Sequence, residues 1–415
     1  MREIFKKEKK EVLLIFVLLD LLFLNNVNLP ILPSMPISLL LIILYCVFNP
    51  SIIKQNRVFK PFLLFVFFLI ISMFFGILFN PPYTHLGAQI VSVAEYNIKR
   101  TLQIIILFMY LFFSENVQLD QKITKKIFSV FILWYLFLGV LSTINLSRYF
   151  SIHNLIYGAT ISKVDYYLNY ETLNVFRYRY IFLDANTSIY FFLLITSYLL
   201  ILSKNSQIYN IFIHLANILA IFLSQSTGAT ISLIIFYFMY FILLPIFKRK
   251  KTYNRNKILV SMISISAISI TLLLGAVLYA QISNFNIMDI DFIQSGYERI
   301  SSNDGGGRFE KYIYLFQDRL PFLWGEGYVI IRNGMWFRPH SDILRMLYSF
   351  GIISFLLFIY MFRKISSIRG FTLFIPSMIA FAANSLIDDQ KLFAMFLVIY
   401  AFYSKENLKS KKMLE

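Results

Sequence analysis

The residues best suited to chemistry in this chain are arginines set beside long apolar runs. Arg177 and Arg179 stand two apart in FRYRYIFLDANTSIY, Phe176 to Tyr190. In an extended segment, residues two apart point to the same face, so both guanidinium groups would be presented together. Paired guanidiniums suit phosphate or diphosphate, which they bind through charge-assisted, bidentate hydrogen bonds. Arginines beside a helix start also act as snorkelling anchors at a membrane surface. A second stretch is Gly305, Gly306, Gly307 and Arg308. It is not a P-loop, because the GK[ST] ending is missing. Glycines there permit a sharp turn or a close backbone approach to a ligand, and they serve equally as plain loop.

The third stretch runs Pro339, His340, Ser341, Asp342, then Arg345 and Ser349. Asp342, Arg345 and Ser349 recur at i, i+3 and i+7, one polar stripe on a helix. An arginine inside a membrane span is costly and marks function by default. The alternative is a structural pair with Asp342, Asp388 or Asp389. His340 stands at the mouth of that helix. An imidazole with an ordinary pKa of ~6.5 can take a proton from a hydroxyl. A lone interfacial histidine is also commonly a plain polar residue, and the neighbouring arginines favour catalysis here. His214 and Asn217, at i and i+3 in an apolar run, fit interhelical hydrogen bonding. Glu95, Lys99 and Arg100 fit either an anion site or an interfacial ion pair.

The elements that must position these residues are membrane helices. Of 415 residues, 58% are hydrophobic and only 15% are charged, too few for a soluble domain of this length. Apolar runs near spanning length recur throughout, and the alternation of a transmembrane barrel is absent. Backbone polar groups cannot stay unpaired in lipid, so the runs must be helices. We read an all-α polytopic protein forming a single membrane domain over 1–415. Its twelve spans are 12–24, 31–48, 61–79, 98–114, 127–146, 186–203, 208–224, 229–247, 258–281, 342–362, 371–387 and 392–403. The basic N-terminal stretch and its apolar run imitate a signal peptide. They lack a small-residue cleavage site, and the run is read as a retained first helix.

Two connections are long, 147–185 and 282–341, and such connections tend to be functional. With the N-terminus inside, the inner segments hold 25 Lys and Arg and the longer outer segments 11. Both termini are then cytoplasmic and both long loops external. The net charge of +17 becomes chiefly a topology signal, with some attraction to anionic lipid heads of the bilayer. No nucleic-acid partner is needed to explain it. Cys46 is the only cysteine, which excludes an internal disulfide. Four histidines without an HExxH or His-rich tract argue against a metal site. No internal repeat is evident, which weighs against an inverted-repeat transporter.

At three places the chain resembles the bacterial O-antigen polymerase and O-antigen ligase family of polytopic glycosyltransferases. Arg177 and Arg179 followed by Leu183, Asp184, Ala185 and Asn186 resemble its arginine loop and (D/E)-P-N-like helix start. Ser224, Gln225, Ser226, Thr227 and Gly228 resemble its S-x-S-R-G-type helix start. Gly307 and Arg308, then Pro321 to Gly327, then His340, Ser341 and Gly351 resemble its long loop ending in a His-Asn or His-Ser helix start. There are departures. Ala185 replaces the usual proline, Thr227 stands where arginine is common, and Asp342 after His340 and Ser341 is unusual.

The resemblance implies a GT-C-like fold and an inverting glycosyl transfer, without metal or cofactor, on the periplasmic face of the bacterial inner membrane. The donor would be a growing glycan on undecaprenyl diphosphate. A second undecaprenyl-linked repeat unit accepts it in a polymerase, and lipid A–core accepts it in a ligase. On that reading Arg177, Arg179 and Arg308 hold the diphosphate, Arg345 is another clamp or a structural partner, and His340 is the general base. A chain-length regulator protein is implied by the family alone. Polymerase is preferred to ligase because such enzymes vary with their repeat unit, and this chain departs from the commoner residues. A lipid-linked oligosaccharide flippase would need a polar path across the bilayer, whereas the polar residues here collect in the outer loops.

Overall fold

The structure, a computed structural model, describes residues 2–27, 34–86, 89–117, 119–157, 177–182, 184–203, 205–247, 323–332, 335–337, 339, 341–384 and 386–412. Helices form where the apolar runs lie. They are α1 (Arg2–Phe23), α2 (Ser38–Phe48), α3 (Ser51–Lys54), α4 (Phe59–Phe79), α5 (Val93–Leu107), α6 (Met109–Asn116), α7 (Gln121–Ile144) and α8 (Leu146–Tyr157). They continue as α9 (Ala185–Leu202), α10 (Gln207–Ser224), α11 (Thr227–Phe238), α12 (Asp342–Arg345), α13 (Gly351–Met361), α14 (Ile368–Ala383) and α15 (Gln390–Lys412). Six helical stretches among the described residues are long and apolar enough to cross a membrane, which makes the chain an α-helical polytopic membrane protein.

The predicted span 258–281 lies outside the described residues; the others overlap helices, but only the six stretches above are of spanning length, and the second and eleventh predicted spans hold the shorter helices Ser38–Phe48 and Ile368–Ala383. The fourth is divided into α5 and α6 at Phe108, whose ring packs among those of Phe62, Phe65, Phe362 and Phe393. Of the long connection 147–185, the first part is helical as α8. Many helix starts are written in the sequence as caps. Ser92, Asp120, Asp184, Ser206, Ser226, Ser341 and Ser367 each accept a first-turn N–H through the side chain. Such a cap satisfies a donor that the helix cannot, at a gain of ~1 kcal/mol.

Helix α9 lies at the centre: 94% of its span is buried inside the protein, against 28% for α4. It packs on α10, α14 and α15, and α14 in turn carries α11. The middle of α15, from Leu392 to Tyr403, is nearly all buried against α6 and α9. Aromatic rings fill these contacts. Phe362, Phe374, Phe396, Tyr400 and Tyr403 form one group, and Phe131, Tyr135, Tyr178, Tyr180 and Phe192 another. Lipid is as apolar as the side chains, so helix association rests on this close packing and on hydrogen bonds between helices.

One feature departs from an all-α chain. Four short strands, β1 (Tyr83–Leu86), β2 (Gln89–Ser92), β3 (Ile330–Arg332) and β4 (Met335–Phe337), make a sheet in the order β2-β1-β4-β3. The parallel pairing of His85 with Met335 ties the connection after α4 to the end of the long connection before α12. Both hairpins are antiparallel.

The same loop is driven into a break in a spanning helix. The stretch from Asp342 to Met361 is α12, a π-helical turn over Met346–Phe350, and α13, interrupted at Gly351. Glu326 and Gly327 donate their N–H groups to the exposed carbonyls of Tyr348 and Ser349, at 2.9 Å each. Gly325 and Gly351 both have positive φ, and a Cβ on Gly351 would lie 2.5 Å from the Gly325 nitrogen. Only glycine fits such a conformation at such a distance. Irregular backbone at membrane depth requires this kind of protein cover.

Candidate functional site

Arg177 begins a short extended segment laid along the C-terminal end of α10. Tyr178 donates its N–H to the Leu223 carbonyl at 3.0 Å. Arg177 Nε donates to the Ser224 carbonyl at 3.1 Å, so two carbonyls left over at the helix end are used. Burial alternates along the segment. Tyr178 and Tyr180 are fully buried, while Arg177 and Arg179 keep partial exposure, which puts both arginines on one side. The two tyrosines anchor it. Tyr178 packs edge-on against Tyr135, and the Tyr180 hydroxyl donates to the Leu22 carbonyl at 2.7 Å. His153 of α8 is buried with Nε2 3.0 Å from the Tyr180 carbonyl, and burial lowers its pKa.

Two helix starts meet at this segment. Asp184 caps α9, and Asn186 sits in the first turn behind it. Ser226 caps α11 after a left-handed turn at Gln225. Asn186 Oδ1 accepts from Arg177 Nη2 and from Ser226 Oγ, at 2.7 Å each. The arginine segment and both helix starts therefore share one amide oxygen, although these residues lie up to 49 positions apart in FRYRY, LDAN and SQSTG.

Arg345 lies in a separate, more buried setting. Its guanidinium pairs with Asp388 and with Asp342 at 3.4 Å, and donates to the Pro339 carbonyl at 3.1 Å. Asp342 is fully buried and also accepts the backbone N–H groups of Leu386 and Ile387. The Tyr328 hydroxyl donates to Asp388 at 2.6 Å, and the guanidiniums of Arg345 and Arg100 lie 5.7 and 5.6 Å from its ring. A burial this deep holds a charge only when partners surround it. Of the two roles open to Arg345, this geometry is that of the structural pair.

Between the two settings runs the short connection from α14 to α15. Asn384 donates to Asp184 at 3.4 Å, and two residues on the chain meets Asp342. Asp389 caps α15 through the Leu392 N–H at 2.9 Å. Protein crowds Asp389 although some surface remains, and burial pushes its pKa up to about 6 against the pull of the Leu392 N–H and of Lys391. Lys391 is buried and donates to the carbonyls of Asp20 and Leu24 at the end of α1. Two adjacent acids and a lysine between apolar spans were the available signal, since charges at such a boundary need partners.

His340 and Arg308 lie outside the described residues. The neighbours of His340 are described: Pro339 is held by Arg345, and Ser341 caps α12. Glu95 and Lys99 form an ion pair, and Arg100 donates to Gln103 at 3.1 Å. His214 and Asn217 both reach the Tyr237 hydroxyl, at 3.2 and 3.4 Å, a link between α10 and α11. Glu326 and Arg332 form a bidentate pair within the loop that enters the helix break. No group of three or more His, Cys, Asp or Glu placed to hold a metal occurs among the described residues.

Fold and site together define an α-helical polytopic membrane protein with two arginine-bearing settings at one end of its bundle. Compared with protein-family models and with curated proteins, the chain matches none of either.

Proposed function

We propose that this protein is an O-antigen or related surface-polysaccharide polymerase. It would be an inverting glycosyltransferase that works without a metal and uses a glycan on undecaprenyl diphosphate. The observation that carries the reading is the convergence of Arg177 with the starts of α9 and α11 through Asn186 and Ser226. Helix N-termini and guanidinium groups together favour a multiply charged phosphate. Such a group is what a lipid-linked glycan presents beside a membrane bundle.

The reaction follows from simple demands. His340 takes the proton from an acceptor hydroxyl, whose oxygen attacks the anomeric carbon of the donor. The bond from that carbon to the diphosphate oxygen breaks, and undecaprenyl diphosphate leaves with the electron pair. Arg177, Arg179 and Arg308 hold the negative charge that develops on it. Arg345 takes the positioning role, fixing the Pro339 carbonyl beside His340. The bundle would have twelve spans in a GT-C-like arrangement in the bacterial inner membrane. Both termini would be cytoplasmic and the site periplasmic, and a chain-length regulator would be its protein partner.

The test is the lipopolysaccharide banding pattern of a deletion strain. Core bearing a single repeat unit means polymerisation is lost while ligation survives, as proposed. Core alone with polymer retained on undecaprenyl diphosphate would make the protein a ligase. Core alone without that polymer would make it a flippase. His340→Ala should abolish polymerisation at normal protein levels, because a general base contributes ~100- to 10,000-fold. Normal polymer from that variant would remove His340 from the mechanism. Normal polymer from Arg177→Ala, Arg179→Ala and Arg308→Ala alike would remove the clamp.

A further inference from the structure

The end of the bundle opposite the arginine settings carries a basic corner that the proposed reaction does not use. Two connections build it. Residues 49–60 lead through α3 into α4 and hold Lys54, Arg57 and Lys60, and residues 362–367 follow α13 and hold Arg363 and Lys364. Neither stretch contains an acid. The ring of Phe108 joins them, 5.0 Å from that of Phe62 in the first turn of α4 and 6.1 Å from that of Phe362 just past α13. Glu115 turns its carboxylate to this corner. Asn56 donates to it at 2.6 Å, and Lys364, Lys405 and Arg57 all act on its charge. One carboxylate leaves the five cations of the two connections in excess.

The excess lies at the foot of an apolar surface. Lys60, Leu63, Leu64 and Phe67 recur at i, i+3, i+4 and i+7 on α4, and Leu356, Ile359, Tyr360 and Arg363 recur in the same way along and just past α13. All of these side chains are exposed. The two helices pack on each other, which makes their stripes neighbours. The Arg363 guanidinium lies 4.5 Å from the centre of the Tyr360 ring, so the cation is held at the edge of its stripe. An apolar stripe on a spanning helix meets acyl chains, and a cation at its foot meets head groups. We propose that this corner is a binding site for an anionic phospholipid, with the phosphate among Arg57, Lys60 and Arg363 and the acyl chains along α4 and α13. The site is separate from the glycosyl-transfer reading and stands whether or not that reading holds.

The experiment titrates the purified full-length chain, in a neutral detergent, with phosphatidylglycerol, with phosphatidylcholine of the same acyl chains, and with glycerol 3-phosphate. Native mass spectrometry counts what is bound. The first phosphatidylglycerol should bind at concentrations where the other two do not. Equal binding of phosphatidylcholine would overturn the role of charge. Glycerol 3-phosphate binding as tightly as phosphatidylglycerol would make this a free-phosphate site and overturn the lipid. Each cation near an anionic head is worth about fivefold, so Arg57→Gln, Lys60→Gln and Arg363→Gln together should weaken the first phosphatidylglycerol roughly a hundredfold. Lys122→Gln, Lys125→Gln and Lys126→Gln remove the same charge from α7 at the same end of the bundle and should leave that binding unchanged. Equal weakening by the two triple variants would mean diffuse attraction and would overturn the site. Thermal midpoints are recorded for both variants, and the comparison of ligands on the wild-type chain tests the proposal whatever the variants do.

Discussion

A buried arginine between two aspartates and a half-exposed arginine on an amide oxygen are chemically the same side chain in two different settings. Arg345, the first, is paired with carboxylates inside the protein. Arg345→Ala would leave Asp342 and Asp388 without that partner, at a cost of ~3–5 kcal/mol. The expected result is a markedly lower thermal midpoint in detergent, with much of it restored when Asp342→Asn and Asp388→Asn accompany Arg345→Met. A wild-type midpoint for Arg345→Ala alone would free Arg345 for ligand binding. Asp389 makes a prediction about pH. Its folded-state pKa, pushed up to about 6, exceeds that of an exposed aspartate, ~3.9. Between those values the folded chain binds more protons than the unfolded one, so this group's contribution to stability falls as pH rises through the window. Asparagine caps a helix as well as aspartate does. Asp389→Asn should therefore be more stable than wild type at pH 7.5, by ~1–2 kcal/mol, with the difference gone by about pH 4. Thermal midpoints across that range check the sign.

At the scale of elements, the interrupted helix from Asp342 to Met361 and the loop that enters its break act as one unit. The loop satisfies carbonyls that the break exposes, and the glycines allow it to come close enough. Gly351→Ala combines a disfavoured φ of 84° with a clash against backbone, which cannot move aside. It should cost ~1–3 kcal/mol or more and lower the thermal midpoint. Gly228→Ala is the control: its Cβ would meet only the end of the Tyr190 side chain, at 2.5 Å, within an ordinary helix turn. It should be tolerated far better. Equal midpoints for the two variants would mean that the break is not held as described. The helix starts around the site were legible before the fold, because Asp184, Ser226 and Ser341 are capping residues placed just ahead of apolar runs. The small sheet was not, since strands of three or four residues carry too short a pattern to stand out among helices.

At the scale of the molecule, the two ends of the bundle are stitched by cations set on helix carbonyls. Lys391 reaches the end of α1, and at the opposite end Lys405 reaches Ser114 and Val117 while Arg369 reaches Ile201. Cations are favoured there by the helix dipole as well as by the free carbonyls. Part of the positive charge thus holds helices together in addition to any role in orientation. The proposed orientation is open to a direct check, because Cys46 is the only cysteine and is buried. In a Cys46→Ser background, single cysteines at the exposed positions Tyr83 and Lys122 should differ in labelling by a membrane-impermeant maleimide on intact spheroplasts. Tyr83→Cys is expected to react and Lys122→Cys only after lysis. The reverse pattern would invert the topology.

The amino-acid sequence by itself determined where the helices run, because a long apolar segment in lipid has one way to satisfy its backbone. It also marked where many of them start, because Ser, Asp and Asn cap by local chemistry. It brought forward Arg177, Arg179, Arg308, His340 and Arg345 as the polar residues in need of an explanation. Only the tertiary structure decided which residues hold Arg177 and Arg345. Charge pairing among many spans depends on which helices are neighbours, and neighbours are chosen by ring packing and glycine contacts far apart in the chain. That choice put Asn186 under Arg177, Asp388 against Arg345 and Asn384 beside Asp184. No short-range pattern in the sequence carries that information.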